Sequence, residues 1–268
     1  MKFYKVLVLL IFAVILVGSL PGISSAQAQR RSERDTAIEN EPLDQPLPHG
    51  MKVRAFIHRP RVVEPAHLGT CTPDDSLNSD TNYGLTGWHL PIGGITWKLN
   101  SSTVPSSVGS PGVSAATAAR TAITDAFATW TAADTQKVFI DGGNTTAKNA
   151  RFDRINAILW KNIGAGSIAV TYVWYYTATG LVAEVDMIFN KGYPWRVFTD
   201  NVAGCSTQYD AYDLLNIATH EIGHWVGLDD LYNDSDADLT MYGFGAGGEL
   251  KKRTLGTGDI SGVNEVTP

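Results

Sequence analysis

Along most of the chain, short apolar runs alternate with two stretches of helical spacing. GITWKLN (Gly94 to Asn100) alternates apolar and polar positions and predicts a strand. Pro105, Gly109 and Pro111 then punctuate a loop. From about Ser114 to Ala133 the period changes. Ile123, Phe127 and Trp130 fall at i, i+4 and i+7, one apolar stripe of a helix. KVFID (Lys137 to Asp141), NAILWKNI (Asn156 to Ile163), SIAVTYVWYYT (Ser167 to Thr177) and LVAEVDMIFN (Leu181 to Asn190) are rich in β-branched and aromatic residues and predict four further strands. A second helix is expected from near Asp210, with Asp210 and Asp213 as N-cap and first-turn acids. GDISGVNEV predicts a short C-terminal helix.

The N-terminal quarter reads differently. Lys2 and Lys5 precede an apolar run from Val6 to Leu20, and small residues follow in GISSAQAQ. This is the pattern of a cleaved export signal, taken here as residues 1–28. The run is short against the roughly 20 residues that span a bilayer, so no membrane association is expected after cleavage. Residues 29–70 are polar and Pro-rich and read as a linker or short pro-segment, with a weak strand signal in MKVRAFI (Met51 to Ile57). Residues 71–268 form the expected globular domain. A net charge of −6 argues against nucleic acid as the main partner. The two cysteines, Cys71 and Cys205, suggest one disulfide in an exported protein.

The chemistry concentrates in HEIGHWVGLDD, His220 to Asp230. Residues four apart share a helix face, so His220 and His224 can aim ring nitrogens at one ion. Glu221 borders that face, where a base can take a proton from water. Gly227 can take positive φ, end the helix and return the chain, which brings Asp230 to the same ion as third ligand. A solvated aspartate at a helix end is the alternative. Asp229 is read as support for the ligands rather than as one of them.

HEIGHWVGLDD resembles the extended zinc motif of metzincin metalloproteases, HExxHxxGxxH, with Asp in the last place, as in the snapalysin branch. LTMYGF puts Met241 where that clan carries its Met-turn. ITWKLN, AITDAFATW, NAILW, IAVTY, AEVDMIFN and GDISGVNEV look like successive elements of matrixin-like secreted proteases, over most of Cys71 to Val266. The resemblance implies an α+β catalytic domain: a twisted, mixed five-stranded sheet, two long helices and a short C-terminal helix, with the motif helix flooring an open cleft. It implies a secreted, monomeric zinc endopeptidase acting on extended polypeptide, which pairs with the strand matching SIAVTYVWYYT. Zinc would be held by His220, His224 and Asp230, with Glu221 as general base. A non-catalytic secreted zinc-binding protein and a thermolysin-type hydrolase, with Glu249 or Glu265 as third ligand, are the alternatives.

The chain also departs from the family. His89 is the sole histidine between Cys71 and His220, so the structural zinc of three histidines found in some matrixins cannot form. Structural calcium is a candidate at Asp234, Asp236 and Asp238, although Leu239 stands where a calcium loop has glycine, and a solvated acidic loop is the preferred reading. Cys71, in LGTCTPDD, loosely resembles a zymogen cysteine switch but has Cys205 as a candidate partner.

Overall fold

The computed structural model describes residues 46–61, 80–198 and 211–267. The expected signal peptide, Asp210, Cys71 and Cys205 lie outside them, and with the cysteines the disulfide or switch. Among the described residues no helix is long and apolar enough to cross a membrane.

The architecture is α+β, a mixed sheet with three helices. The strands are β1 (Met51–Pro60), β2 (Ile95–Leu99), β3 (Phe139–Asn144), β4 (Asn156–Lys161), β5 (Ala169–Tyr176), β6 (Val182–Asn190), β7 (Trp195–Arg196), β8 (Tyr212–Asp213) and β9 (Phe244–Gly245). The helices are α1 (Ala115–Ala133), α2 (Leu214–Trp225) and α3 (Thr257–Glu265). Seven strands form the main sheet in the order β3-β2-β4-β6-β5-β1-β9, and β7 pairs with β8 apart from it.

The five strands expected from the sequence, β2 to β6, are all present. Four of them run parallel, and β5 lies antiparallel to β6. The expected total of five is nevertheless too low. β1 extends the sheet beyond β5, antiparallel from Met51↔Tyr176 to His58↔Ala169, and the two-residue β9 adds to β1 in parallel. The segment read as linker or pro-segment therefore supplies a sheet strand. Its alternation is masked in sequence because Ala55, Phe56, Ile57 and His58 are buried in succession. Such a strand, covered on both faces, lacks a period-two signature.

The core lies where α1 and α2 pack together and against the sheet. Ser114 caps α1 by accepting the Thr117 N–H at 3.2 Å. Ile123, Phe127 and Trp130 are all buried, as their spacing predicts, and Ala119, Ala122 and Ala126 are buried beside them. Trp130 locks the two helices by donating its indole N–H to the Thr219 carbonyl at 2.7 Å. Burying that ring without a partner would cost about 1–3 kcal/mol.

Candidate metal centre

α2 is held at both ends. At its start the Asp213 carboxylate accepts the Asn216 N–H at 2.8 Å and receives a bidentate grip from Arg253 at 2.9 and 2.8 Å. At its end Gly227 takes φ +103°. The Leu228 N–H reaches back to the Gly223 carbonyl at 2.9 Å and the Gly227 N–H to that of His224 at 3.3 Å, the paired bonds of a Schellman turn. A side chain at 227 would meet the Trp88 carbonyl oxygen at 2.6 Å, so glycine is required by space as well as by φ. The chain reverses here, as the spacing predicts.

The reversal brings Asp230 to the rings. Its Oδ1 lies 3.2 Å from His220 Nε2 and 3.6 Å from His224 Nε2. Two donors bonded at about 2.1 Å to a tetrahedral ion stand about 3.4 Å apart, so these separations fit one ion. His220 Nδ1 lies 2.7 Å from the Thr240 carbonyl, and His224 Nδ1 lies 2.9 Å from that of Leu228. A carbonyl only accepts, so each Nδ1 carries a proton and each Nε2 of a neutral ring presents a lone pair. Distance alone would allow buried His⁺–Asp⁻ ion pairs. Burial, helped at His220 by the Lys252 charge, lowers both ring pKa values to about 3 and so argues against charged rings. His220 Nε2, His224 Nε2 and Asp230 Oδ1 make no hydrogen bond, and all three are buried. Three electron-rich atoms therefore face one another with nothing positive between them, the arrangement a divalent cation resolves.

Surrounding groups hold each donor. The Tyr232 hydroxyl donates to the other Asp230 oxygen at 3.0 Å. Asp229 accepts the Asp230 N–H at 2.9 Å and is gripped by Arg54 at 2.8 and 3.0 Å, so it supports the ligand turn. Thr240, which fixes His220, belongs to the turn that carries Met241. There Asp259 of α3 accepts the N–H groups of Thr240 and Met241 at 2.9 and 3.2 Å. Met241 lies against Gly223 on α2: a side-chain carbon at 223 would overlap its sulfur at 2.1 Å. The glycine between the two histidines is thus the space Met241 occupies.

Glu221 adjoins the donors. Its Oε2 accepts the Thr171 hydroxyl at 2.5 Å, while its Oε1 has no hydrogen bond. Burial raises its pKa well above the usual carboxylate range. His58 of β1 is the group that sequence reasoning missed. Its Nδ1 is 3.4 Å from Glu221 Oε1, and its ring meets that of His220 edge-on at 3.9 Å between centroids. His58, His220 and Glu221 each offer a donor atom within 4.8 Å of the others, a second group able to hold an ion and sharing His220 with the first.

Comparison of the chain with protein-family models gives no match, and comparison with curated proteins gives none either. The residues themselves thus carry the argument. The calcium candidates do not converge. Asp234 accepts from Tyr242, Asp236 from Asn233 and Ser235, and Asp238 pairs with Lys251. Nor does the cleft stand open: His220, Glu221 and His224 are fully buried. Phe56 stacks on His224 at 3.9 Å and 17°, so β1 covers the site. The downstream glutamates do not reach the rings. Glu249 turns to the Ala246 N–H and Lys252, and Glu265 accepts from Tyr83. Arg54, His58, Thr171 and Asp259 carried no local signal, because each reaches the site from another segment of the chain, whereas Tyr232 lies two residues past the Asp230 it holds and was not singled out.

Proposed function

We propose that this chain is a secreted, zinc-dependent endopeptidase of metzincin type. The observation that carries the reading is the convergence of three unpaired, buried donors, His220 Nε2, His224 Nε2 and Asp230 Oδ1, beside the unpaired Oε1 of Glu221. Two neutral imidazoles and one carboxylate form a donor set that suits zinc and leaves room for a further ligand. When bound, the ion supplies a Lewis acid that polarises a carbonyl and acidifies water.

The chain's own residues supply the rest of the chemistry. Thr171 holds Glu221 by one oxygen and leaves Oε1 free to accept a proton from the attacking water. As the carbon–oxygen bond forms and the peptide carbon–nitrogen bond breaks, that proton passes from Oε1 to the leaving amine. The substrate is an extended polypeptide held by main-chain bonds along the flank of β5 that β1 occupies here, a mode that tolerates many side chains.

Glu221→Gln tests the assignment. The variant retains an equivalent of zinc by metal analysis and loses casein-peptide hydrolysis by roughly a hundredfold or more, within the usual worth of a general base. Zinc retained with turnover unchanged would defeat it.

A further inference from the structure

The bend that carries the donors is held from outside the helix. Residues 84–89 cross it as a strap, and the backbones of Leu85 and Leu228 form an antiparallel bridge. The Thr86 N–H and hydroxyl both donate to the Gly227 carbonyl, at 3.0 and 2.8 Å. The Asp229 N–H donates to the Gly84 carbonyl at 2.9 Å. The Trp88 indole N–H donates at 2.9 Å to the His224 carbonyl, in the last turn of α2, where carbonyls lack helical partners. The approach is close: a side-chain carbon at Gly84 would come within 3.1 Å of Asp229 Cβ. The far end of the strap is anchored at the turn between β5 and β6. There the His89 N–H donates to the Gly180 carbonyl at 3.0 Å, and the His89 carbonyl accepts the Val182 N–H at 2.9 Å.

One peptide plane joins the strap to the donors. The group between Leu228 and Asp229 is planar, with its N–H and C=O pointing opposite ways. Its N–H is taken by Gly84, and its C=O accepts the His224 Nδ1–H at 2.9 Å. The bonds therefore run in series from strap to imidazole, and each polarises the next. An acceptor on Nδ1 orients the ring and makes Nε2 the stronger electron donor. Asp230, the third donor, is the next residue along, so its place 3.2 Å from His220 Nε2 depends on the same plane.

We propose that residues 84–88 are a positioning strap that sets the metal affinity of this site, acting on His224 and Asp230 through the Leu228–Asp229 peptide, with Trp88 as its anchor on α2. This rests on the zinc-site reading above and adds what tunes the site. The effect is reciprocal by linkage: a cation held more tightly by the strapped bend also holds the strap closed.

The test compares two indole-to-phenyl changes in the whole chain. Trp88→Phe removes the bond to the His224 carbonyl. Trp195→Phe removes a similar bond, from a buried indole N–H to the Asn190 carbonyl at 2.7 Å, in the β7–β8 pair that precedes α2. Both variants melt earlier than the metal-free parent. Trp88→Phe alone weakens zinc, by about ten- to a hundredfold in a chelator competition titration, the usual worth of a group behind a ligand. It alone shifts the absorption bands of bound cobalt(II). A second measurement needs no variant. In the parent, zinc slows amide hydrogen exchange at Thr86 and Asp229 by at least the factor that Trp88→Phe loses in affinity. The Thr145 amide, bonded to the Leu99 carbonyl at 3.0 Å near the β3 edge of the sheet, is a control that zinc leaves unchanged. Equal zinc affinity in the two variants would reduce Trp88 to packing and overturn the proposal. Exchange at Thr86 and Asp229 unmoved by bound zinc would overturn it as well. A parent chain that binds no zinc would overturn the zinc-site reading, and the role of the strap with it.

Discussion

Asp230→Asn separates a metal centre from an ordinary buried ion pair, because the two predict opposite signs. In the metal-free protein the Asp230 Oδ1 faces two ring nitrogens at 3.2 and 3.6 Å, and burial keeps both rings neutral. An amide nitrogen in that place donates a hydrogen to the His220 lone pair at 3.2 Å, while His224 at 3.6 Å lies beyond a normal hydrogen bond. The amide oxygen still accepts from Tyr232. One new hydrogen bond gives a gain of about 1 kcal/mol, before any relief from burying a carboxylate. For a unit of this size that raises Tm by about 2–4 °C. Metal affinity moves the other way. Changes to the partners behind a ligand alone cost about ten- to a hundredfold, so losing the charged ligand costs more. If instead the rings were protonated and paired with Asp230, the same variant would lose about 3–5 kcal/mol. Thermal melts of chelator-treated protein and a zinc competition titration measure both quantities. A variant less stable than the parent when metal-free, with zinc affinity unchanged, would refute the reasoning.

Two further outcomes concern packing and pH. Gly223→Ala gains about 1 kcal/mol of helix propensity but forces Met241 from its place, an overpacking cost of about 1–3 kcal/mol, and is therefore no more stable than the parent in urea melts. Combined with Met241→Ala it costs less than the two single changes summed, and strict additivity would show that the two do not touch. Burial pushes the Glu184 carboxyl up to about 7, against the opposing N–H groups of Asp153 and Arg154. A raised carboxyl contributes stability below its unfolded value of 4.5, and that contribution is lost as pH rises through about 7, a fall of about 3 kcal/mol. Glu184→Gln removes that fall, so melts of parent and variant diverge between pH 4.5 and 8. Parallel curves would contradict the buried carboxyl.

The parts legible in the sequence were those encoded within a few residues. The α1 stripe, the β2 to β6 runs and the Gly227 reversal all follow from local spacing, and the structure shows each, whereas the motif helix, expected from near Asp210, begins at Leu214 with Asp213 as its cap. The donor geometry of His220, His224 and Asp230 was legible for the same reason, since one helix turn and one glycine bend determine it. What escaped depends on chain segments far apart in sequence. His58 is 162 positions from His220 (220 − 58), and nothing in MKVRAFIHRP announces that its alternate residues face a metal site. Thr171 resembles any buried strand residue until its hydroxyl meets Glu221. β9 has two residues and no periodicity to detect.

β5 is hydrogen-bonded on both flanks, by β6 and by β1. Its sequence, AVTYVWYY, carries no charge, proline or glycine. Stripped of its neighbour on the β1 side, it would present an adhesive, self-complementary ribbon to other molecules. Protein cut after residue 61 and stripped of β1 should therefore cloud or form fibres on storage sooner than the intact chain, and a peptide seated on that ribbon should keep it clear.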